Sequence, residues 1–515
     1  MYGGPSHIDL FDHKPALEKF HGKKLQGRGE LRGFFGQAGL IMKSPFQFKR
    51  YGKSDSWVSS ILPNLATCVD ECCFLHSMVA KSNNHTPATF QMNTGFTLNG
   101  FPCMGSWLSY GLGSSNSNLP AFVVMHGTKP RGADPIWSSG FLPSVYQATS
   151  LDSRGAKPID NLELPGGITK AQQRSLLDEL NAANRKHAEK RPFDRDLNAR
   201  LESFELAYRM QAAAPEAFDV SSEPKQIQEM YGLNRKESKD YGRQCLLARR
   251  LVERGVRFVQ LYSGGGHLEE TWDAHESIEK NHGRHGAEID QPIDALLTDL
   301  EQRGLLESTL VVWAGEFGRM PFSEGKNAPG RNHNPYGFTI WMAGGGVKGG
   351  VDYGETDDFG FEAVTDRVHL HDIHATILHL MGLDHEHLTY HYGGLEDIYK
   401  QHYLGLIHVL PIADKQSLKS DIRWAKSDDD GGSNRGAVYV IGLGGAPDLN
   451  AMSPVAWTLE GSADGGAQHF GRLLALADAP GALRSLLLEL HMARPRDSTL
   501  LLLSLSRSLR LCFSA

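Results

Sequence analysis

The stretch STLVVWAGEFGR, residues 308–319, decides the fold. Its apolar run is typical of a strand that is buried on both faces, and the run ends at a glycine that is followed by the carboxylate of Glu316. A carboxylate in that position is costly to bury without a partner. Ligands of α/β sheets bind beyond the carboxyl ends of the strands, so the stretch predicts both a sheet of this kind and a site at its edge.

The same pattern recurs on both sides of this stretch. Apolar runs that indicate strands alternate with segments that have helical spacing, and several of the helices end at glycine. The alternation predicts a mostly parallel central sheet with helices on both faces. The predicted strands are a run ending near Met78, AFVVM (121–125), RFVQLYS (257–263) and FTIWMAGGG (338–346), and the clearest helices are GSWLSYGLG (105–113), DALLTDLEQRG (294–304) and HDIHATILHLMGL (371–383).

Composition limits the classes of function. Of the 515 residues, 40% are hydrophobic and 22% are charged, which is typical of a globular protein. A net charge of -7 argues against nucleic acid as a partner. No apolar run reaches the roughly 18 residues that a membrane-spanning helix needs, so no membrane span is expected.

Polar clusters follow four of the predicted strand positions. They lie at 3–12, 83–95, 264–285 and 315–333, and each combines glycine with histidine, aspartate or glutamate. Carboxylate and imidazole together suit zinc, manganese or iron, whereas calcium and magnesium prefer sites in which oxygen ligands dominate. The four clusters converge if the sheet is formed, and we therefore predict a metal site there.

Four linked motifs carry a family resemblance: GGPSHIDLFD (3–12), WDAH (272–275), GEFGR (315–319) and GGGVKGG (344–350). Over about four fifths of its length the chain resembles the planctomycete-type domain of unknown function 1501 family, within the sulfatase and alkaline-phosphatase superfamily. The resemblance implies a three-layer α/β sandwich of the alkaline-phosphatase type. It also implies one or two divalent metal ions (zinc, manganese, calcium or magnesium) and a sulfate or phosphate ester as the substrate, small or polysaccharide.

The metal ligands carry over from the resemblance one residue at a time. Asp9 matches the carboxylate that follows the first strand, and Asp273 with His275 resembles the pair that holds the second metal. His333 would be the third ligand of that metal. Glu316 stands where the superfamily has an aspartate, and Phe317 removes one ligand. His7 and His267 are additional candidates.

The nucleophile position departs from the superfamily. Sulfatases have the motif Cys/Ser-x-Pro-Ser-Arg, where this chain reads HTPATFQMNTG (85–95), with His85 at the position of the Cys or Ser and Thr89 at that of the arginine. His85 there would bind metal or accept a phosphoryl group, and Thr86 or Thr89 would be a displaced hydroxyl nucleophile. A water activated by metal is an equal alternative. Arg319 would hold the oxyanion of the ester.

Each candidate also has a structural interpretation. Asp9 would cap a helix or a turn, and Asp273 would cap the helix that ESIEKNHGRH begins. Arg319 would be an ion-pair partner for Glu316, and His85 a core histidine that donates to a carbonyl. We interpret His371 and His374 as residues of a helix face and not as ligands.

Both ends of the sequence differ from the family pattern. In that family a strand, and before it an export signal, precede the GGPSH motif, so the resemblance implies an exported or periplasmic protein. We expect the first strand to be missing from this sequence and residues 1–12 to be weakly anchored. The predicted domain ends at residue 405, and residues 406–515 form either an appended domain or a non-native reading frame that folds poorly.

Two functional hypotheses follow. The first is a metal-dependent hydrolase of sulfate or phosphate esters that lacks the usual Cys or Ser nucleophile. The second is a catalytically silent relative that keeps the fold and binds a polysaccharide or protein partner. Retention of Asp273, His275 and His333 favours the hydrolase, whereas the missing nucleophile and Phe317 favour the silent relative.

Overall fold

The structure is a computed structural model of residues 1–515. It describes residues 1–24, 32–33, 36–37, 39–130, 133–154, 159, 162–164, 166–190, 195–265, 270–325, 328–392, 395–398, 410–412, 473–479 and 482–488.

Eleven helices lie in these residues. They are α1 (His7–Leu10), α2 (Pro15–Lys19), α3 (His85–Thr94), α4 (Met104–Leu112), α5 (Ala133–Ile136), α6 (Lys170–Glu189), α7 (Arg195–Phe218), α8 (Lys225–Met230), α9 (Lys239–Glu253), α10 (Ile278–Gln302) and α11 (Leu370–Leu380).

The same residues contain twenty strands, most of them short. They are β1 (Arg32–Gly33), β2 (Gly36–Gln37), β3 (Phe48–Tyr51), β4 (Ser56–Ser59), β5 (Cys72–Val79), β6 (Phe122–His126), β7 (Thr149–Asp152), β8 (Phe258–Tyr262), β9 (Val311–Trp313), β10 (Gly318–Gly325), β11 (Ala328–Asn334), β12 (Phe338–Ala343), β13 (Val351–Tyr353), β14 (Glu355–Thr356), β15 (Ala363–Thr365), β16 (Val368–His369), β17 (Thr389–Tyr392), β18 (Leu395–Ile398), β19 (Leu473–Ala479) and β20 (Ala482–Leu488).

Two sheets form the centre of the protein. A five-stranded sheet has the order β13-β5-β12-β9, with β16 also paired to β5, and a three-stranded sheet has the order β7-β6-β8. All pairs of the three-stranded sheet are parallel. In the five-stranded sheet β13 and β16 pair with β5 in parallel, whereas β12 is antiparallel to both β5 and β9. The fold is therefore mixed α/β with a parallel sheet, and β12 is the reversed strand.

Strands β5 and β12 are buried on both faces, whereas β9, which the sequence predicted to be buried, is only partly so, with Val312 36% exposed. Alternate residues of β12 belong to separate hydrophobic clusters, with Trp341 and Ala343 in one and Ile340 and Met342 in the other. Successive side chains of a strand point to opposite faces of its sheet, so the two clusters lie on opposite faces. Helices α9 and α10 contribute to the first cluster, and α4 and α11 contribute to the second. This double burial explains the continuous apolar runs in the sequence.

The N-terminal residues are firmly packed, so the expectation that residues 1–12 are weakly anchored is wrong. Ile8, Leu10 and Phe11 are each at most 1% exposed. Gly3 has a φ of 112°, and a Cβ at this position would lie 2.5 Å from Oγ1 of Thr271. The segment is held by this close packing against the loop before α10.

The chain divides into two compact units, residues 1–433 with 437–445 and residues 434–436 with 446–515. In the first unit, Leu410 and Ile412 are buried in the same hydrophobic cluster as α11. In the second unit, the structure describes one antiparallel hairpin, β19–β20. The prediction that residues 406–515 form an appended domain or a non-native reading frame concerns a segment that lies mostly outside the described residues. Within the described part of the chain, no helix is both long enough and apolar enough to cross a membrane.

Candidate metal centre

His85 enters the site from the first turn of α3. The side chain of Asn84 accepts a hydrogen bond from the backbone N–H of Thr86 and so caps the helix. The helix ends at Gly95, which has the left-handed conformation that favours glycine (φ 86°). The cap at Asn84 and the turn at Gly95 determine the two ends of α3, and His85 is the first residue of the helix.

Asp273 and His275 lie in the loop between β8 and α10. The backbone N–H of Asp273 donates to Oγ1 of Thr271, at 3.0 Å. Helix α10 begins only at Ile278, and its cap is Ser277, whose side chain accepts from the N–H of Lys280. The interpretation of Asp273 as the cap of this helix is therefore wrong, and its carboxylate is available to the site.

His333 is carried by the hairpin β10–β11. In the register of this hairpin, His333 lies opposite Arg319. Residues that face each other across an antiparallel pair project to the same side of the sheet. Both side chains accordingly reach Asp273: Nη2 of Arg319 is 2.7 Å from Oδ1, and Nε2 of His333 is 3.0 Å from the same oxygen.

The four side chains converge around the carboxylate of Asp273. One ligand atom from each of His85, Asp273, His275 and His333 lies within 4.8 Å of the others. Nε2 of His275 is 2.8 Å from Oδ1 of Asp273, and Nε2 of His85 is 3.0 Å from Oδ2. The two Nε2 atoms of His275 and His333 are 3.0 Å apart.

Hydrogen bonds on the far side of two rings determine which nitrogen is free to bind a cation. Nδ1 of His333 lies 2.6 Å from the carbonyl oxygen of Asn83, and Nδ1 of His85 lies 2.9 Å from Oε1 of Glu316. Both partners are acceptors, so each Nδ1 carries the proton. In the neutral rings, Nε2 then presents a lone pair to the Asp273 carboxylate. Two acceptors that face each other at 3.0 Å require a proton or a cation between them.

The charges of the site follow from burial and from these contacts. Burial alone would raise the pKa of Asp273, but the charge of Arg319 and the contacts with the three histidines hold this pKa far below its usual range. Burial lowers the pKa of His333 to about 4, although Asp273 opposes the effect. At neutral pH the site therefore contains an ionised carboxylate and a neutral His333, which are the forms that bind metal.

His85 differs from His333 because it lies between two carboxylates. Burial would lower its pKa, but the hydrogen bonds and charges of Asp273 and Glu316 outweigh burial and raise the pKa of His85 to about 9. In the absence of a metal ion, the imidazolium of His85 bridges the two carboxylates. A metal ion that binds Nε2 would replace the proton there.

Glu316 contacts this group through His85 and is not one of its four members. Its Oε1 accepts from Nδ1 of His85 and, at 2.8 Å, from the backbone N–H of Gly3. Metal-bound histidines characteristically donate their second N–H to a carboxylate or a carbonyl, which orients the ring. The geometry gives Glu316 this orienting position, where the sequence predicted a direct ligand.

Asp9 and His7 lie outside the group. Asp9 is fully buried and accepts a bidentate hydrogen bond from Arg331, with Nε at 2.7 Å from Oδ2 and Nη2 at 3.2 Å from Oδ1. Nε2 of His7 lies 2.8 Å from the carbonyl oxygen of Gly360. The geometry does not place either residue as a metal ligand, and Arg331 explains the buried carboxylate as an ion pair.

Arg319 does not pair with Glu316, and its guanidinium is not free for an anion. It is 0% exposed. Nε donates to the carbonyl of Gly4 at 2.6 Å, and Nη2 donates to the carbonyl of Gly3 as well as to Asp273. Its contacts orient Asp273 and hold the N-terminal loop, so they do not support the predicted contact with an ester oxyanion.

The remaining predicted residues divide into three cases. Thr86 lies in the first turn of α3, where its backbone N–H donates to Oδ1 of Asn84 at 3.3 Å. His267 lies outside the described residues. His371 and His374 face backbone carbonyls of Gly95 and Met92 from α11, which confirms that they belong to a packed helix face.

Sequence reasoning missed two contributions to the site. Phe317 was interpreted only as the loss of a ligand, whereas its ring packs against His333 with the centroids 4.6 Å apart and against His85 at 5.2 Å. The carbonyl of Asn83 was not considered. It orients His333 across a separation of 250 residues, and no local signal in the sequence could have indicated that pairing.

A family model described as "Protein of unknown function (DUF1501)" matches residues 1–402. The chain belongs to the DUF1501 family. All four residues of the metal-binding group lie within the part that matches the DUF1501 model. No curated protein matches the chain.

Two solved structures show distant similarity to this DUF1501 protein. One is a crystal structure of Ps i-CgsB in complex with k-i-k-neocarrahexaose, with 10% identity over 63% of this chain and 67% of that chain, and a TM-score of 0.29. Another is the phosphonate monoester hydrolase SpPMH from Silicibacter pomeroyi, with 11% identity over 62% of this chain and 68% of that chain, and a TM-score of 0.30. At these scores neither structure bears on the assignment of the site.

Proposed function

We propose that this DUF1501 protein is a metal-dependent hydrolase of sulfate or phosphate esters. The observation that carries the proposal is the convergence of His85, Asp273, His275 and His333, with two imidazole nitrogens and a carboxylate oxygen about 3 Å apart. The choice of ester rests on the motifs that resemble the sulfatase and alkaline-phosphatase superfamily.

The donor set fits a borderline divalent ion. Three imidazoles and one carboxylate suit zinc or manganese better than calcium or magnesium, which favour sites made of oxygen ligands. The orienting partners, Glu316 behind His85 and the Asn83 carbonyl behind His333, are of the kind that metal-bound histidines have. One ion fits the group as it stands.

In such a site, different residues would bind the ion, orient its ligands and shape the space for a substrate. A divalent ion held there would polarise an ester oxygen and lower the pKa of a water molecule. Arg319 donates to the carboxylate of Asp273, and the backbone N–H of Asp273 donates to Oγ1 of Thr271, so that the carboxylate oxygens stay directed at the histidines. Phe317 forms an apolar wall against His85 and His333. His85 and His275 keep 19% and 14% of their side-chain surface exposed, which gives the site an open side for a substrate.

We also infer a three-layer sandwich of the alkaline-phosphatase type and export of the mature protein. The two hydrophobic clusters on opposite faces of the central strands support the layered arrangement. Export rests on the sequence resemblance alone. A fractionation experiment in the source organism tests export independently of the site.

Metal analysis of the purified full-length protein tests the central proposal. We expect about one equivalent of a transition metal in the parent protein. A His275→Ala, His333→Ala double variant should lose it, whereas His387→Ala should keep it, because His387 is exposed and pairs with Asp384 outside the site. A folded parent protein without metal after incubation with zinc and manganese would overturn the proposal. Retained metal and turnover of p-nitrophenyl phosphate or sulfate that the double variant lacks would support it.

A catalytically silent relative is the second candidate, and one observation favours it. Arg319, the cation expected to bind the ester, uses its guanidinium for backbone carbonyls and Asp273. A protein that binds about one metal ion and yet hydrolyses neither class of ester at any pH from about 5 to 9 would match this candidate. Binding of sulfated or neutral polysaccharides would then be measured by calorimetry on the same preparation.

A further inference from the structure

Two segments of the chain, 14–24 and 43–53, form a strongly basic surface. Eight of their 22 residues are Lys or Arg and one, Glu18, is acidic, so the segments carry seven net positive charges in a chain whose net charge is -7. The two segments are referred to as the basic surface. A surface of one sign raises the local concentration of partners with the opposite charge. Six of its lysines are exposed: Lys19, Lys23, Lys24, Lys43, Lys49 and Lys53.

Hydrogen bonds join the two segments side by side. The N–H of Gly22 donates to the carbonyl of Ile41, and the N–H of Ile41 donates to the carbonyl of Lys23, both at 2.9 Å. The N–H of Lys43 donates to Nδ1 of His21 at 3.3 Å. Lysines that are distant in the sequence therefore belong to one continuous stretch of surface.

The charges of the six exposed lysines are free for a partner. Within the described residues, none of their ammonium groups forms an ion pair. The nearest carboxylates have other partners, since Asp55 pairs with Arg50 and Asp70 accepts from the backbone N–H of Lys53. The one arginine of the basic surface is thus engaged, and what remains is a set of point charges without the fork geometry that recognises a single phosphate group.

The aromatic rings of this region are covered by cations. Nζ of Lys19 and Nζ of Lys23 each lie 5.4 Å from the ring centroid of Phe20, and the guanidinium of Arg50 lies 4.6 Å from that of Trp57. Proteins that bind single-stranded nucleic acids stack bases on open aromatic faces, and membrane-bound surfaces insert large apolar side chains. Among the described residues, the exposed large apolar side chains all lie outside the two segments. The basic surface therefore favours a partner rich in charge over one that offers bases or lipid.

The basic surface borders the candidate metal centre. Met42, which directly precedes Lys43, belongs to the same hydrophobic cluster as Ala274. Ala274 separates the candidate ligands Asp273 and His275 in the sequence. A polymer that lies along the lysines would therefore pass the loop that carries two of the four candidate ligands.

We propose that the basic surface binds a linear polysaccharide that carries repeated sulfate or phosphate groups. A single exposed ion pair contributes little affinity, so a partner of this surface has to engage several lysines at once. A polymer with repeated anionic groups does so, whereas a small monoester neutralises only one or two. The inference goes beyond the proposed hydrolase activity, because the ammonium groups hold the polymer without a metal ion.

Calorimetry on the full-length protein tests the proposal with dextran sulfate, phosphorylated dextran and neutral dextran of equal length. We expect both charged dextrans to bind and the neutral one not to bind, and their relative affinities identify the preferred anion. A Lys19→Gln, Lys23→Gln, Lys43→Gln triple variant should lose affinity for the charged dextrans by about tenfold or more at low salt. Its binding should also depend less steeply on salt, because fewer counterions are released. The matched control replaces three exposed lysines of α6 by Gln and should keep the parent affinity: Lys170, Lys186 and Lys190.

The His275→Ala, His333→Ala double variant separates this proposal from the proposed function. It should bind the charged dextrans as the parent protein does, even where it loses the metal ion and all turnover. Loss of polymer binding in this variant while it remains folded would assign the polymer to the metal centre and would overturn the proposal.

Three further results would also overturn it. The first is a folded parent protein that binds neither charged dextran at low salt. The second is an equal loss of affinity in the triple variant and in the α6 control, which would mean that net charge matters and the basic surface does not. The third is binding of duplex DNA as tight as that of dextran sulfate at the same salt concentration, which would assign the surface to nucleic acid.

Discussion

Oε1 of Glu316 lies 2.9 Å from Nδ1 of His85, and this contact connects the carboxyl end of β9 to the first turn of α3. Neutralising the carboxylate should therefore weaken metal binding without removing a ligand. We expect Glu316→Gln to lower metal affinity by about tenfold to a hundredfold, the range typical of orienting partners. Competition titration with a chromogenic zinc chelator measures the change.

The protein provides a matched control for this substitution. Oε2 of Glu288 lies 2.9 Å from Nδ1 of His285, the same type of pair, outside the metal-binding group. Glu288→Gln should leave the affinity at the parent value. An equal loss in both variants would mean that the effect is a general one on stability and would contradict the orienting role of Glu316.

The Asp9–Arg331 pair should control stability and not metal content. Asp9→Asn leaves the guanidinium of Arg331 buried without its counter-charge, and loss of one partner of a buried pair typically costs about 3–5 kcal/mol. We expect a clearly lower midpoint in urea denaturation. Metal per folded molecule should match the parent protein. Loss of the metal from a variant that remains folded would instead restore Asp9 as a ligand.

His374 should make the protein sensitive to acid. Burial lowers the pKa of its imidazole from 6.5 to about 4. Between these two values the unfolded chain binds more protons than the folded one, so the stabilising contribution is complete above about pH 6.5 and is lost as the pH falls towards 4. The loss for this one group is about 3 kcal/mol.

Denaturation curves from pH 7 to pH 4 measure this dependence. His374→Gln removes one titrating group and should reduce the loss of stability between pH 7 and 4 by about 3 kcal/mol, even though it lowers stability at neutral pH. Other buried histidines with a lowered pKa, among them His7 and His282, keep the rest of the slope. His387→Gln, a substitution at an exposed histidine, should keep the parent slope. A parent profile that did not change between pH 6.5 and 4 would show that His374 remains unprotonated in both states or titrates normally in the fold.

Hydroxyl nucleophiles on α3 are the remaining alternative to a water molecule. Thr86 lies in the first turn of the helix, and Thr89 is 4% exposed. We expect Thr86→Val to keep ester hydrolysis within about twofold of the parent rate. A loss of a hundredfold or more at unchanged metal content would indicate covalent catalysis by this threonine. Mass spectrometry of the protein, quenched during turnover, provides an independent check for a covalent adduct.

Much of the architecture could be predicted because the central strands are recognisable in the sequence from their apolar composition. The runs that became β8, β9 and β12 are mostly apolar, and the segment that became α11 has helical spacing with a glycine after its end. The antiparallel orientation of β12 relative to β5 and β9 could not be predicted from its sequence. A strand that is buried on both faces is apolar along its whole length in either direction, so its composition does not reveal its orientation.

The site was only partly predictable for a different physical reason. Asp273, His275 and His333 each lie in a glycine-rich segment near the end of a predicted strand, and the structure brings their ligand atoms within 4.8 Å of one another. Asp9 has the same local appearance, but Arg331 is 322 residues away and neutralises it. Local sequence gives the type of a side chain, whereas its partner depends on long-range packing.

The arrangement of the four candidate ligands has a consequence for the lifetime of the folded state. Asp273 and His333 are 60 residues apart in sequence, and His85 lies much earlier in the chain, at the start of α3. In the unfolded chain these groups are scattered, so an ion would bind the native state almost exclusively and stabilise it in proportion to the logarithm of its concentration. Metal supply in the surroundings would then set how long each molecule survives before it unfolds and is degraded, in addition to setting how many molecules can act.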